Sequence, residues 1–335
     1  MTTTDFQMPV LGADMQAGTL VAWRKRPGDA VHRGEIIAEV DTEKGVIDVE
    51  VFHDGVLDEI VVPEGQKVPV GTVIARFRPA AGAEAARPPV PAPPAPQAAA
   101  AEERPRAAVA APDRLQRMRQ TIAAAMTRSK REIPHYYLAT TIDLHRATTR
   151  LADVNGARPI EARLLPGVLL LKATAVALGT VPELNAVWER EQVVLRDRVH
   201  VGVAISLRGG GLVILALHDT ATRSLDDLMA GLRDLTARAR TGRMKSSELA
   251  DSTITVTSLG DRGVESVYGV IYPPQVAIVG FGTILARPWI VDGDVRSRPV
   301  VTATLAADHR VSDGHRGGLF LEAVGQLLQE PEKLG

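Results

Sequence analysis

Near the end of the chain, Ala306-Ala307-Asp308-His309-Arg310-Val311-Ser312-Asp313-Gly314 joins an apolar alternating run to a helical one. It puts a histidine and a carboxylate four residues apart at a strand-to-helix junction. An imidazole exchanges a proton near neutral pH, so His309 reads as a general base. Asp313 can fix the surroundings of that base or cap the following helix, and the two roles can coexist. A second candidate group lies far upstream. Lys44 sits in Asp41-Thr42-Glu43-Lys44-Gly45, between Ile36-Ile37-Ala38-Glu39-Val40 and Val46-Ile47-Asp48-Val49, so two strands meet at a tight turn that carries a lysine.

The elements that must position these groups fall into three stretches. Around Lys44 the sequence repeats itself at an offset of 37: Gly18, Gly28, Gly34, Ile37 and Ala38 recur as Gly55, Gly65, Gly71, Ile74 and Ala75. Short Val- and Ile-rich runs broken by Pro27-Gly28-Asp29 and Pro63-Glu64-Gly65 predict a small all-β domain with an internal pseudo-two-fold, residues 1–78. Residues 79–112 are rich in Ala and Pro, have almost no large apolar side chains, and read as a flexible, disordered linker. At about 3.1 Å per residue in polyproline form it could span on the order of 100 Å. From 113 to 335 strands and helices mix without a regular βαβ alternation, which predicts an α+β domain with a mixed or antiparallel sheet. Asp113 is expected to cap a basic amphipathic helix ending at Pro134, and a last helix is expected from about His315 to Leu328.

Composition narrows the function classes. The chain has 335 residues, 45% hydrophobic and 24% charged, with a formal net charge of −1, so neither nucleic acid nor an anionic membrane is indicated as the main partner. It has no cysteine, which excludes disulfide frameworks, zinc knuckles and a thiol nucleophile of its own. The start, Met1 to Leu11, lacks the basic-then-apolar layout of a secretory signal. The most apolar segment, Val168 to Val181, contains Lys172 and is too short to cross a bilayer. A cytoplasmic protein without a metal centre is the expectation.

Two resemblances add to this reading. Met8-Pro9 to Phe77, with Gly18-Thr19-Leu20, Gly28-Asp29-Ala30-Val31 and Asp41-Thr42-Glu43-Lys44, resembles the lipoyl domains (hammerhead-like folds) of 2-oxo acid dehydrogenase complexes. A biotin carrier typically sets its lysine between two methionines, whereas Lys44 lies between Glu43 and Gly45. Residues from Arg117 onward resemble the dihydrolipoyl acyltransferase catalytic domain, of the chloramphenicol-acetyltransferase-like type. The matching motifs include Arg119-Gln120-Thr121-Ile122-Ala123, Ile133-Pro134-His135-Tyr136, Pro182-Glu183-Leu184-Asn185-Ala186, Thr257-Ser258-Leu259-Gly260, Pro273-Pro274-Gln275-Val276 and Asp308 to Gly314.

The resemblance implies lipoate on Lys44 and acyl transfer from the dihydrolipoyl arm to coenzyme A as co-substrate. It implies His309 as general base, Asp313 in support of the geometry, and Thr257 at the position of the family's oxyanion-holding serine. Ser258, one residue along, is the fallback. It further implies a homotrimer with sites between subunits, and as partners the decarboxylase and dihydrolipoamide dehydrogenase of a complex together with the lipoate-attaching enzyme. The complex would process pyruvate, 2-oxoglutarate, a branched-chain 2-oxo acid or acetoin. A non-catalytic lipoyl carrier and assembly subunit is the alternative, and a stand-alone acyltransferase would have no use for Lys44. Three departures stand out. Nothing between Pro79 and Asp113 has the periodicity of the family's small peripheral subunit-binding module. Leu215 replaces a usual proline in a strand expected to line the substrate channel. The end, Glu332-Lys333-Leu334-Gly335, lacks the apolar tail that joins related trimers into larger cores, so assembly is expected to stop at the trimer or to depend on other contacts.

Overall fold

A computed structural model describes residues 3–11, 15–42, 45–79, 111–207 and 211–335, with the side chains of 111–115, 117, 118 and 261 excepted. Lys44 and most of the Ala/Pro stretch lie outside the described residues, as do the side chains of Arg114 and Arg117.

The N-terminal unit is all-β, as its alternating runs predict. Its strands are β1 (Thr4–Gln7), β2 (Ala17–Trp23), β3 (Ala30–Val31), β4 (Ile36–Thr42), β5 (Gly45–Glu50), β6 (Gly55–Ile60), β7 (Lys67–Pro69) and β8 (Val73–Arg78). One sheet runs β1-β8-β6-β3, and the other contains β5-β4-β2-β7. The sequence repeat is visible as paired turns: Gly28 and Gly65 both adopt positive φ, 98° and 86°, where a side chain would be strained. Between the sheets, Leu20, Val40, Ile47, Leu57, Ile74 and Phe77 are buried and form a core of their own. A period of two along each strand puts these residues inward and their polar neighbours outward.

The second unit opens with α1 (Ala111–Glu132), which is followed by β9 (His135–Asp143), α2 (His145–Gly156) and α3 (Pro166–Ala177). Helix α1 starts ahead of Asp113, so that residue is inside the helix and not its cap. Pro112 fits the first turn, where no N–H is needed. A hairpin, β10 (Ala186–Glu189) and β11 (Gln192–Leu195), precedes β12 (Val201–Ser206), β13 (Leu212–Leu217), α4 (Leu225–Thr241), β14 (Met244–Lys245) and α5 (Ser246–Ala250). The remainder is β15 (Ile254–Ser258), β16 (Ala277–Phe281), β17 (Leu285–Val291), β18 (Asp294–Asp308) and α6 (Gly314–Gln329).

The main sheet runs β13-β12-β15-β16-β18-β17, with β9 also paired to β18. Strands β12, β15 and β16 are mutually parallel and the other pairs antiparallel, a mixed sheet as expected. The largest core lies between this sheet and helices α2, α3, α4 and α6. It includes Leu171, Leu228, Val256, Val279, Leu305, Phe320 and Val324. Helix α3 is buried on nearly every side, which is why its sequence is apolar without periodicity. Helix α4 begins at the cap Ser224, whose hydroxyl accepts the Asp227 N–H at 3.1 Å, and ends at Gly242 in the left-handed region.

Candidate functional site

His309 follows the last residue of β18, and the backbone around it is fixed from several sides. Its N–H donates to the Pro134 carbonyl at 2.9 Å. Asp308, fully buried, accepts the Arg310 N–H at 2.9 Å and takes the Arg310 guanidinium through both carboxylate oxygens, with contacts of 2.6 to 3.1 Å. That hydrogen-bonded pair raises the Arg310 pKa further above its ordinary value. The guanidinium also lies 4.3 Å from the ring centroid of Trp188. These contacts hold the turn while leaving the His309 side chain exposed.

Beneath the histidine, the Tyr136 ring meets the imidazole edge-on, centroids 5.2 Å apart. The Tyr136 hydroxyl shares a 2.8 Å hydrogen bond with the Ser312 hydroxyl, and burial pushes that phenol's pKa up. Asp313 is the N-cap of α6, its carboxylate accepting the Arg316 N–H at 3.0 Å. That N–H, then that of His315, hold the Asp313 carboxyl below its usual value, and the nearby His315 and His309 act in the same direction. Arg316 is in turn held by Glu183 through both carboxylate oxygens. No hydrogen bond between Asp313 and the His309 ring occurs among the described residues; the carboxylate's contact is the α6 cap. Sequence reasoning missed the Asp308–Arg310–Trp188 arrangement, because Trp188 arrives from a hairpin 120 residues upstream.

Thr257 stands elsewhere. It is on β15, half-buried, in the wall of a cavity of about 820 Å³. Thr255, on the same strand, and Gln275 share that wall, joined by a 2.6 Å hydrogen bond from the threonine hydroxyl to Oε1. Arg196, Arg198 and His200 contribute basic groups to the lining. Ser258 is not in the wall; its hydroxyl oxygen accepts the Gly260 N–H at 3.3 Å. Leu215 is likewise absent from the wall. It is buried with Ile205 and Leu235 in a small satellite core, while Leu212, Val213 and Ile214 of the same strand line the cavity as expected.

Strand register separates Thr257 from His309. Thr257 is opposite Gly280 on β16, and Gly280 is opposite Thr304 on β18, five residues before His309. At about 3.3 Å per residue along the strand and roughly 4.8 Å per strand across, the two residues are about 20 Å apart in one chain. Of the other histidines, His135 is structural. Its Nδ1 lies 2.8 Å from the Ile133 carbonyl and its Nε2 accepts the Ile271 N–H at 3.2 Å, and burial lowers its pKa. His200 is also lowered, by burial and then by its neighbour His218. On α1, Arg128 pairs with Glu132 and Lys130 reaches the Tyr137 hydroxyl.

Thr42 and Gly45 are paired, with the Thr42 hydroxyl donating to the Gly45 carbonyl at 3.0 Å, which leaves Glu43-Lys44 as the two-residue connection. Among the described residues no group of three or more potential ligands is placed to hold a metal ion, and no helix is long and apolar enough to cross a membrane.

Comparisons with known proteins agree across both units. Residues 111–335 match the family model described as 2-oxoacid dehydrogenases acyltransferase (catalytic domain), and residues 4–77 match the biotin/lipoyl model described as biotin-requiring enzyme. The dihydrolipoyllysine-residue acetyltransferase component of the pyruvate dehydrogenase complex of Zymomonas mobilis is 26% identical, with 98% of each chain covered. Its alignment runs over 432 positions, so it carries segments that this chain lacks. The corresponding component of the acetoin cleaving system of Bacillus subtilis is 28% identical, again covering 98% of each. A solved probable dihydrolipoamide acetyltransferase from Listeria monocytogenes superposes with a TM-score of 0.57 at 28% identity, covering 63% of this chain and 91% of that one.

Proposed function

The chain belongs to the family of 2-oxoacid dehydrogenase acyltransferases, and from that premise we propose that it passes an acyl group between a dihydrolipoyl arm on Lys44 and coenzyme A. It is an acyltransferase with a lipoyl-type domain ahead of its catalytic domain, the composition of an acyltransferase component of a 2-oxoacid or acetoin dehydrogenase complex. Covalent lipoate supplies a mobile thiol that carries the acyl group as a thioester. The domain boundaries we adopt are 1–78, 79–112 and 113–335.

Exchange of one thioester for another is near balance and requires a nucleophile. A thiol with pKa near 8.5 is only a few per cent ionised at pH 7, and a positioned base adds about 10²- to 10⁴-fold. His309 takes the proton from the attacking coenzyme A thiol and returns it to the departing dihydrolipoyl sulfur. The Thr257 hydroxyl donates to the carbonyl oxygen as negative charge builds there. Asp313 and the Asp308–Arg310 pair hold the His309 turn in place. Because His309 and Thr257 are far apart in one chain, a complete site takes His309 from one subunit and Thr257 from its neighbour, the arrangement a homotrimer supplies. The decarboxylase and dihydrolipoamide dehydrogenase of the complex then load and reoxidise the arm.

The observation that carries this reading is the junction after β18. There a rigid turn exposes an imidazole that the fold's own hydrogen bonds leave unused among the described residues. The test is His309→Ala in protein from a lipoylating host: acyl transfer should disappear while Lys44 stays lipoylated and the unfolding temperature is kept. Retained turnover would remove His309 from the reaction.

A further inference from the structure

The two units share a seam. Strand β5 is an outer strand of its own domain, and β14 from the acyltransferase unit adds to it in parallel, Met244 opposite Ile47 and Lys245 opposite Asp48. An edge strand with unpaired N–H and C=O groups is a template for such addition, and main-chain pairing is one of the ways sheets capture partners. Two residues further along β5, Glu50 is only 5% exposed. Among the described residues its side-chain partners all come from the other unit: Lys245 Nζ is 3.2 Å from Oε1, and the Ser247 hydroxyl donates to Oε2. The Glu50 N–H donates to the Ser246 hydroxyl oxygen at 3.2 Å. Burying a carboxylate is costly, and these contacts from the other unit are what compensates Glu50 in the joined state.

The receiving segment is braced from behind. Arg238 of α4 binds Glu248 through both guanidinium nitrogens, and Glu248 accepts the Lys245 N–H at 3.0 Å. Leu249 packs against the core of the lipoyl-type domain and against the satellite core beside α4. From there the chain runs straight into the wall of the cavity that contains Thr257: Leu249 and Ser252 line it, and so does Val10 of the lipoyl-type domain. Gly45, next in sequence to Lys44, opens the docked strand.

We propose that Met244–Leu249 is a docking site for this chain's own lipoyl domain, read by strand addition to β5 and by the Lys245–Glu50 pair. Docking there seats the lipoyl domain against the wall of the Thr257 cavity, which Val10 helps to line. The inference rests on the acyltransferase reading and adds the surface that selects the arm. Its test uses the full lipoylated chain and compares two acceptors, the tethered Lys44 arm and free dihydrolipoamide, with an acyl-coenzyme A donor. Glu50→Lys and Lys245→Glu should each slow transfer to the tethered arm about tenfold or more while leaving free dihydrolipoamide turnover within about twofold. The charge-swapped double variant should recover most of the tethered rate. Lipoylation of Lys44, read by intact mass, reports that each variant's lipoyl domain is folded. Unchanged tethered transfer in both single variants, or an equal loss with both acceptors, overturns the docking site. A wild-type protein inactive with free dihydrolipoamide overturns the acyltransferase reading, and docking with it.

Discussion

His309 and Thr257 were legible in the sequence by different routes. The histidine stands out because a base and an acid flank a change of period from two to 3.6, a pattern visible without any partner. Thr257 stands out only by its alignment with a family serine, since a threonine in an apolar strand is otherwise an ordinary β residue. The two hydroxyls differ in position: Thr257 is in the cavity wall, and Ser258 is outside it. Thr257→Ala should therefore lower kcat by about 10²- to 10³-fold, the cost of removing an oxyanion donor. Thr257→Ser should retain most activity and Ser258→Ala nearly all of it. Steady-state transfer to free dihydrolipoamide checks all three, and a Ser258→Ala loss larger than that of Thr257→Ala would reverse the assignment.

At the scale of elements, the strand-to-helix junction holds its shape through α6. Asp313 accepts the Arg316 N–H, and the backbone N–H groups keep its carboxyl ionised to lower pH than usual. A depressed folded-state pKa means the unfolded chain binds the proton more readily, so this stabilisation is present above the ordinary aspartate value near 3.9. It is lost as pH falls through the lower folded value. Asp313→Ala should lower the unfolding temperature at pH 7 and shrink that difference at pH 3, whereas Asp313→Asn, which keeps an acceptor oxygen, should lose less. Thermal melts across that pH range give the answer. Helix α6 and the mixed character of the main sheet were readable from apolar pattern and the Asp313 cap. Strand β14 was not: two residues become a strand only when β5 is beside them, and no periodicity precedes that contact. The α1 start was misjudged for a related reason, since Asp113 suits a cap while Pro112 suits the first turn just as well.

For the whole molecule, the separation of His309 from Thr257 is the decisive feature, because no motion of one side chain closes about 20 Å. In the proposed trimer, a heterologous ring would solve this by bringing one subunit's β18 end to the next subunit's β15. The consequence is complementation. When His309→Ala and Thr257→Ala subunits are unfolded together and reassembled in equal amounts, about one quarter of the sites in a ring should hold both intact residues. Two inactive proteins should thus yield roughly a quarter of wild-type activity, and a mixture as inactive as its parents would place both residues in a single-chain site. The division into a domain with its own core, an Ala/Pro stretch and an α+β unit was legible from the internal repeat, the Ala/Pro composition and the mixing of strands with helices. The seam between the units was not, because Glu50 reads as a surface residue until Lys245, Ser246 and Ser247 are placed against it. The central claim, that this polypeptide carries its own acyl arm and acylates it through His309, reduces to one measurement. Lipoylated protein, reduced and mixed with an acyl-coenzyme A, is followed by intact mass: the wild type should gain one acyl group at Lys44 and His309→Ala none. Acylation that persists without His309, or a lipoylated wild type that never gains the acyl mass, would contradict the account.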